Sequence, residues 1–338
     1  MLPSIAMPRN RWPLATLHII VDADYAPLIR LLAPGAEVHG VPRSQTIAGL
    51  WQAVRGVRRL KADLACSLSP ARRNAALTLC SGARAVAGYL TAADGPIHYL
   101  ARTPVESFGV ALQSSEIYGR EHIAERSLKV WRALGARDTR AQTSVCEQKA
   151  LDRASECLKQ TGRVPQGRYV VIHPFASWKY KRWALPRFIA LAWRIGAELG
   201  CPVVFLSNAI EGRELAPFQR RFEKLPTMRF VSTDDLIEMA AVIRNARLFI
   251  GNDSGPLHLA AALAVPILGL YGPADPALTA PVRVSATLIY KAAECSPCSQ
   301  QVCVRPADHC LNRTSVREVF AAAGELLQRF APKEAATV

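Results

Sequence analysis

The stretch "NDSGPLHLAAA", residues 252–262, lies between two apolar runs, "RLFIG" (247–251) and "VPILGLYG" (265–272). The first run is short and rich in strand formers, which predicts a buried parallel strand ending near Asn252. Asp253 or Ser254 then caps a helix whose first turn holds Pro256, where a missing N–H costs nothing, and "PLHLAAAL" continues it with strong helix formers. Gly255 permits a sharp turn and the close approach of a ligand to the main chain. The unpaired N–H groups of such a helix start face the carboxyl end of the strand, a place suited to an anion such as a phosphate. Taken alone, the same residues are equally well explained as an ordinary capped helix with no ligand.

Similar apolar runs recur along the chain, at 16–22, 62–68, 168–173, 201–207, 247–253 and 265–272, with helical patterns at 51–60, 122–135, 185–199 and 235–246 between them. Strands alternating with helices predict parallel sheets covered on both faces, an α/β class. The polar stretch "KQTGRVPQGR" (159–168) divides the pattern, so two doubly wound domains are expected, residues 1–160 and 161–338. The last residues, "PKEAATV", read as a frayed tail.

At 338 residues and 50% hydrophobic, the chain is long enough for two cores. No apolar run reaches the length of a membrane span and no signal-peptide order opens the chain, so a cytoplasmic location is expected, and the nine cysteines read as reduced thiols or a metal site rather than disulfides. The net charge of +15 is spread over both halves, 19 basic against 11 acidic residues in 1–150 and 23 against 16 in the rest. Between Arg43 and Arg84, however, eight basic residues face a single acidic one, Asp63. Such a field suits nucleic acid, an anionic membrane surface or an acidic substrate, or it is a solvated face. No nucleic-acid-binding motif accompanies it, so no nucleic-acid partner is expected.

In open parallel sheets ligands sit beyond the carboxyl ends of the strands. That rule gathers "HPFASWKYKRW" (173–183), "SNAIEGRE" (207–214) and "NDSGPLH" (252–258) at one edge of the second domain. There Lys181 offers a charge for an anion, Ser177 a hydroxyl, and Glu211 or Glu214 an acceptor for nucleoside hydroxyl or amino groups. A nucleoside diphosphate fits this set.

"NDSGPLHLAAALAVPILGLYGPADP" (252–276) resembles the signature of glycosyltransferase family 9, the ADP-heptose:lipopolysaccharide heptosyltransferases. "HPFASWKYKRW" is similar to the family's segment of a His-Pro start and a Lys before a Trp, and "HIAERSLKVWRALG" (122–135) to its interdomain helix. The resemblance covers nearly the whole chain and implies two Rossmann-like domains in the glycosyltransferase B arrangement. It implies that Lys181 holds the donor diphosphate, with Ser254, Gly255, Pro256, Leu257 and His258 at the helix start. Asp253 would orient the sugar or the loop, Glu211 the nucleoside, and Ser177 and Ala176 stand where the family has small hydroxyl residues. The implied reaction moves heptose from ADP-heptose to the lipopolysaccharide inner core on lipid A at the inner face of the inner membrane. Arg55, Arg58, Arg59, Lys61, Arg72 and Arg73 would hold that acidic acceptor or the membrane face. No cofactor or catalytic metal is implied.

Two departures from the family pattern stand out. "MLPSIAMPRNRWP" (1–13) resembles the segment just after the family's first strand and its Gly-Asp loop, so that strand and the Asp taken as general base are expected to be missing, which leaves the catalytic base unassigned. Asp22 and Asp24 are the first substitutes to consider. Ala274 in "GPADP" replaces the usual Thr. A donor-binding or assembly protein without catalysis is therefore an alternative to a transferase. "CSPCSQQVCVRPADHC" (295–310) resembles a four-cysteine segment found in part of the family; its thiols, Cys295, Cys298, Cys303 and Cys310, fit no standard ribbon, and a structural cluster or adventitious disulfide would be remote from the chemistry.

Overall fold

A computed structural model describes residues 2–330, apart from 45, 69–70, 91–97, 100–121, 138–147, 283–284 and 299. The chain divides into two compact units, Met1–Glu147 and Gln148–Val338. The tail expected at 332–338 lies outside the described residues.

The second unit is built on one six-stranded sheet with every pairing parallel. In chain order its strands are β6 (Tyr169–His173), β7 (Val203–Ser207), β8 (Met228–Ser232), β9 (Ala246–Asn252), β10 (Ile267–Tyr271) and β11 (Ala286–Tyr290). In space the order is β11-β10-β9-β6-β7-β8, so β6 and β9 lie at the centre, where the direction of winding reverses. All residues of β6, β7 and β10 are buried, as expected of near-continuous Val, Ile and Leu runs covered on both faces. Alternation along the strands assigns Val170, Ile172, Val203, Phe205, Leu248, Ile250, Leu268 and Leu270 to one core. That core is completed by Phe188, Leu191 and Ile195 of α7 (Leu185–Glu198) and by Val319, Ala323 and Leu326 of α12 (Val316–Arg329). Helices α9 (Leu236–Arg244) and α10 (Gly255–Ala262) pack on β9, and Tyr169 carries a buried hydroxyl that donates to Val242 O on α9 at 2.9 Å.

Helix α6 (Gln148–Gln160) falls in the second unit, upstream of the polar stretch 159–168. Its side chains explain why. It packs on α9, with Arg244 pairing to Asp152 at 2.7 Å and Asn245 Nδ2 donating to Ser155 Oγ at 2.7 Å. Leu151 and Leu158 are buried on the same helix. An amphipathic stripe shows that a helix must pack, but not against which domain.

Among the described residues the first unit carries two smaller sheets. Strand β1 (His18–Asp22) pairs in parallel with β2 (Glu37–Val41); β3 (Leu64–Ser67) pairs in parallel with β4 (Ala85–Leu90), which also pairs with the short β5 (His98–Tyr99). Around them lie α1 (Leu2–Arg11), α2 (Ala26–Leu32), α3 (Ile47–Arg59), α4 (Arg72–Leu79) and α5 (Ile123–Ala133), with α1 docked on α5 through Met7, Leu128 and Trp131. Among the described residues β1 has β2 as its one strand neighbour and β3 has β4, so one edge of each lacks a ladder partner. The consequence is visible in burial: every residue of β1, apolar Ile19, Ile20 and Val21 included, is only half-buried, whereas β6 and β7 are buried throughout. An unpaired ladder edge exposes N–H and C=O groups that a closed sheet would satisfy. Amide hydrogen exchange is therefore expected to be faster in β1 and β3 than in β6, β7 and β9, because their protection rests on fewer ladder bonds and less apolar cover. Equal protection in both groups would show that these edges are covered in solution.

Candidate nucleotide site of the second unit

The carboxyl edge of the central strands holds most of the residues that the sequence singles out. Gly251 at the end of β9 makes this edge possible: a Cβ built on it would lie 2.9 Å from His173 O on β6, so a larger residue would push the two strands apart. The next residue, Asn252, is fully buried and uses both ends of its amide. Its Oδ1 accepts from the Trp183 N–H at 2.9 Å and its Nδ2 donates to Pro174 O at 2.8 Å. One side chain thus ties both ends of the 174–183 loop to the central strand. Trp183, itself buried, donates through Nε1 to Thr314 O at 3.0 Å, which fixes the loop against the segment before α12.

The clamp brings Lys181 to Asp253. Lys181 closes a short helical turn, Lys179–Lys181, and its Nζ contacts Asp253 Oδ2; both side chains are largely shielded, at 15% and 8% exposure. His258, one turn into α10, places Nε2 3.7 Å from Asp253 Oδ1. Burial by itself raises the Asp253 carboxyl, but hydrogen bonds from His258 and Lys181 outweigh it and hold the group below the ordinary aspartate value. Tyr271 at the end of β10 completes the surroundings: burial raises its hydroxyl strongly, and the Asp253 charge raises it further. Lys181 is thus a paired cation, not a solitary one.

Ser254 occupies the N-cap of α10, Gly255 and Pro256 form the first turn and Leu257 is fully buried, as the strand, cap and helix pattern predicts. The Ser254 hydroxyl, however, caps no N–H. Its Oγ is buried and has no hydrogen-bond partner among the described residues. Pro256 has no N–H and the Leu257 N–H donates to Ser254 O at 3.2 Å, so the buried Ser254 hydroxyl and the Gly255 N–H are the donors this helix start offers to a phosphate oxygen.

Glu211 and Ser177 have different surroundings. Glu211 is the third residue of α8 (Ala209–Phe222) and closes a capping box with Asn208: the Glu211 N–H donates to Asn208 Oδ1 at 2.8 Å, and the Asn208 N–H to Glu211 Oε2 at 3.0 Å. The same oxygen lies 3.5 Å from His173 Nε2. Burial raises the Glu211 carboxyl, and bonds from His173 and the Asn208 N–H lower it to a net value below the usual range. Any nucleoside contact must therefore use Glu211 Oε1. Glu214 pairs with Arg182 at 3.2 Å, while Ser177 is exposed on the loop, away from the buried set, and Ala176 is buried. Asn252, His173 and Trp183 are the contributors that sequence patterns miss. A polar residue ending an apolar run was a signal for Asn252, but its partners lie in a distant loop.

The basic residues of the first unit do not behave alike. Arg55, Arg58 and Arg59 on α3, and Lys61 just after it, are exposed. Arg73 instead pairs with Asp22 at 2.8 Å and donates to Pro42 O at 2.6 Å. That pairing also occupies Asp22, one of the two substitute bases; Asp24 is exposed in the turn after β1. The Arg72 side chain lies outside the described residues. Cys295, Cys298, Cys303 and Cys310 are free thiols; burial pushes the Cys310 thiol up, with Cys298 and Cys303 adding to it, yet no three of the four sulfurs lie within 4.8 Å of one another. Among the described residues no helix is long and apolar enough to cross a membrane.

A parallel sheet whose central strand ends in a shielded carboxylate–lysine pair at a helix start defines a Rossmann-type unit with its polar edge at the carboxyl ends of the strands. The chain as a whole belongs to glycosyltransferase family 9 (heptosyltransferase), whose model matches residues 50–308. It is similar to lipopolysaccharide heptosyltransferase 3 of Escherichia coli, 25% identical over 81% of this chain and 79% of that protein. To the protein of the same name from strain K12 it is 32% identical, the match spanning 46% of this chain and only 45% of that relative's length. The fold is that of the glycosyltransferase B heptosyltransferases: a family 9 glycosyl transferase from Veillonella parvula superposes with a TM-score of 0.76 at 22% identity, covering 97% of this chain and 92% of that one. The E. coli heptosyltransferase WaaC, solved with ADP-2-deoxy-2-fluoro heptose, superposes with a TM-score of 0.66 at 17% identity over 96% and 94% of the two chains. These relatives favour a transferase over a donor-binding protein without catalysis.

Replacing Asn252 by Ala should leave the Trp183 N–H and Pro174 C=O buried and unpaired, each at about 1–3 kcal/mol, so the second unit should lose ~2–6 kcal/mol. Urea unfolding followed by Trp fluorescence measures this. A loss below ~0.5 kcal/mol would show that water or a backbone shift replaces the clamp.

Proposed function

We propose that this chain transfers a heptose from ADP-heptose to a phosphorylated lipopolysaccharide core. The observation that carries the reading is the shielded Lys181 beside the α10 start, in a family whose member WaaC was solved with an ADP-heptose analogue. In the transfer the anomeric carbon breaks its bond to the diphosphate oxygen and forms one to an acceptor hydroxyl oxygen, whose proton passes to water or to the departing ADP. Lys181 and the α10 amides would stabilise the negative charge that collects on the departing ADP. Ser254 Oγ would donate to a phosphate oxygen and so gain the partner it lacks. His258, the most exposed of the Asp253 partners, would face the sugar side, and Asp253 would accept from sugar hydroxyls while positioning Lys181. Glu211 would meet the nucleoside through its remaining oxygen.

On the acceptor side the exposed cations of α3 would meet phosphates of the core or anionic headgroups. Helix α3 supports a place on the membrane face: Ile47 and Trp51 are exposed at 78% and 62%, and Arg55, Arg58 and Arg59 follow along the same helix, while Ala53 and Val54 face inward. Apolar and aromatic anchors beside a basic cluster are what an interfacial helix uses.

Two measurements test the reading. Incubation with ADP-heptose and a heptose-deficient core acceptor should yield a product heavier by one heptose in mass analysis, and the Lys181→Ala chain should bind ADP about ten- to a hundredfold more weakly, the worth of one charge-assisted phosphate contact. That variant also strands the buried Asp253, so Lys181→Ala with Asp253→Asn should recover stability without recovering ADP affinity. Unchanged ADP affinity in calorimetry would remove Lys181 from the donor site. Replacing Arg55, Arg58 and Arg59 together by Gln should weaken binding to vesicles of anionic phospholipid by about a hundredfold, at ~1 kcal/mol per charge, with no change in ADP affinity. Identical vesicle binding would move the acceptor face elsewhere.

A further inference from the structure

The amino ends of β1 and β2 carry a group of side chains that the transfer reaction does not use. In the parallel register His18 stands opposite Glu37, and His39 opposite Ile20. Paired residues of a sheet share a face, and alternate residues return to it, so His18, Glu37 and His39 all rise from the same side. Their polar atoms converge. His18 Nδ1 lies 3.0 Å from His39 Nε2 and 3.2 Å from Glu37 Oε2, and that carboxylate oxygen lies 4.0 Å from His39 Nε2. We propose that His18, Glu37 and His39 form a binding site for a divalent transition-metal ion of the zinc type.

The geometry fits without backbone movement. Two ligands each ~2.1 Å from one zinc ion at a tetrahedral angle lie about 3.4 Å apart, which is close to the spacing of these three atoms. Two imidazole nitrogens and one carboxylate oxygen are a donor set for zinc, cobalt, nickel or copper rather than for magnesium or calcium. Three protein ligands leave a fourth position for water. The ladder between β1 and β2 fixes the three Cα positions, and side-chain exposures of 22%, 60% and 34% for His18, Glu37 and His39 leave a way in. Without metal, the two rings can share one N–H···N hydrogen bond at most. The charged group set against the site is Arg30, whose guanidinium donates to Val38 O at 3.1 Å and opposes positive charge at His39. Glu37 offsets it.

His18 opens β1 and Glu37 opens β2, so the group lies at the amino edge of the strands, opposite the edge where open α/β sheets bind their substrates. The ion would thus brace the pairing of β1 with β2 in the unit whose sheets have unpaired edges, a role independent of heptose transfer.

The test uses the full chain, free of any affinity tag, stripped with chelator and kept reduced. Titration with zinc by calorimetry, and with cobalt by visible absorption, is compared among the wild type, His18→Gln with His39→Gln, and Glu37→Gln. The expected result is one zinc fewer per chain in the double variant, zinc affinity at least about tenfold weaker in Glu37→Gln, and cobalt bands without sulfur-to-metal charge transfer that disappear in the double variant. Glu37 is exposed enough that its replacement leaves the fold alone, and equal melting of all three chains in excess chelator confirms that the rings matter only through the ion. Equal zinc stoichiometry and affinity in all three, or cobalt spectra showing thiolate ligation alone, would assign metal binding to the cysteines and overturn the proposal.

Discussion

The second unit turns on the amide of Asn252. A backbone N–H and a C=O from opposite ends of one loop are buried at the end of the central strand, where water cannot satisfy them, and a single side chain serves both. The amide offers a donor and an acceptor on separate atoms and so reaches both groups at once, whereas an ionised carboxylate of similar size could only accept and would leave the Pro174 C=O unpaired. The loop held in this way carries Lys181, and its last residue, Trp183, is fixed in turn to Thr314. The position of the shielded Lys181 cation therefore depends on a fully buried residue of the central strand.

From that constraint follows the electrostatic character of the site. Burial by itself raises the Asp253 carboxyl, and hydrogen bonds from His258 and Lys181 stand in for those water would give and hold it below the ordinary value. A diphosphate entering beside Lys181 would meet a cation already committed to a carboxylate, and would have to share it. A preformed pair of this kind holds the lysine in one geometry at the cost of part of its attraction for the incoming anion. The Ser254 hydroxyl, which has no partner among the described residues, would make up for some of that loss.

The two units differ in how fully their backbone is paired. The six-stranded sheet has buried central strands on which helices pack from both sides, whereas the first unit distributes its strands over two small sheets with half-buried edges. The Asp22–Arg73 pair and the reach of Arg73 to Pro42 O tie α4 to β1 and to the chain just after β2 across that arrangement. These contacts give Arg73 a structural part, while the α3 cations stay open to a partner.

Alternation of short apolar runs with amphipathic helices was enough to read the α/β class, six of the strands, and the helix start at Ser254 to Pro256, because those features rest on periodicity and on the local chemistry of caps and prolines. The strands at 37–41, 85–90, 228–232 and 286–290 escaped, since runs such as "EVHGV" and "MRFVS" mix polar residues and acquire their pairing only beside a neighbouring strand. Lys181 could be named from residue type and from the rule that places ligands at the strand ends, whereas Asp253 and His258 were named as ligand residues by the family resemblance. What tertiary structure alone decided was which partner each charge would take: Lys181 with Asp253, Arg73 with Asp22, Glu211 with the cap of its own helix, Asn252 with a loop some seventy residues away in the chain. Sequence encodes periodicity and capping because both act over a few residues. Ion pairs and buried hydrogen bonds between distant segments depend on the register of strands and the path of loops, and these exist only once the chain has folded.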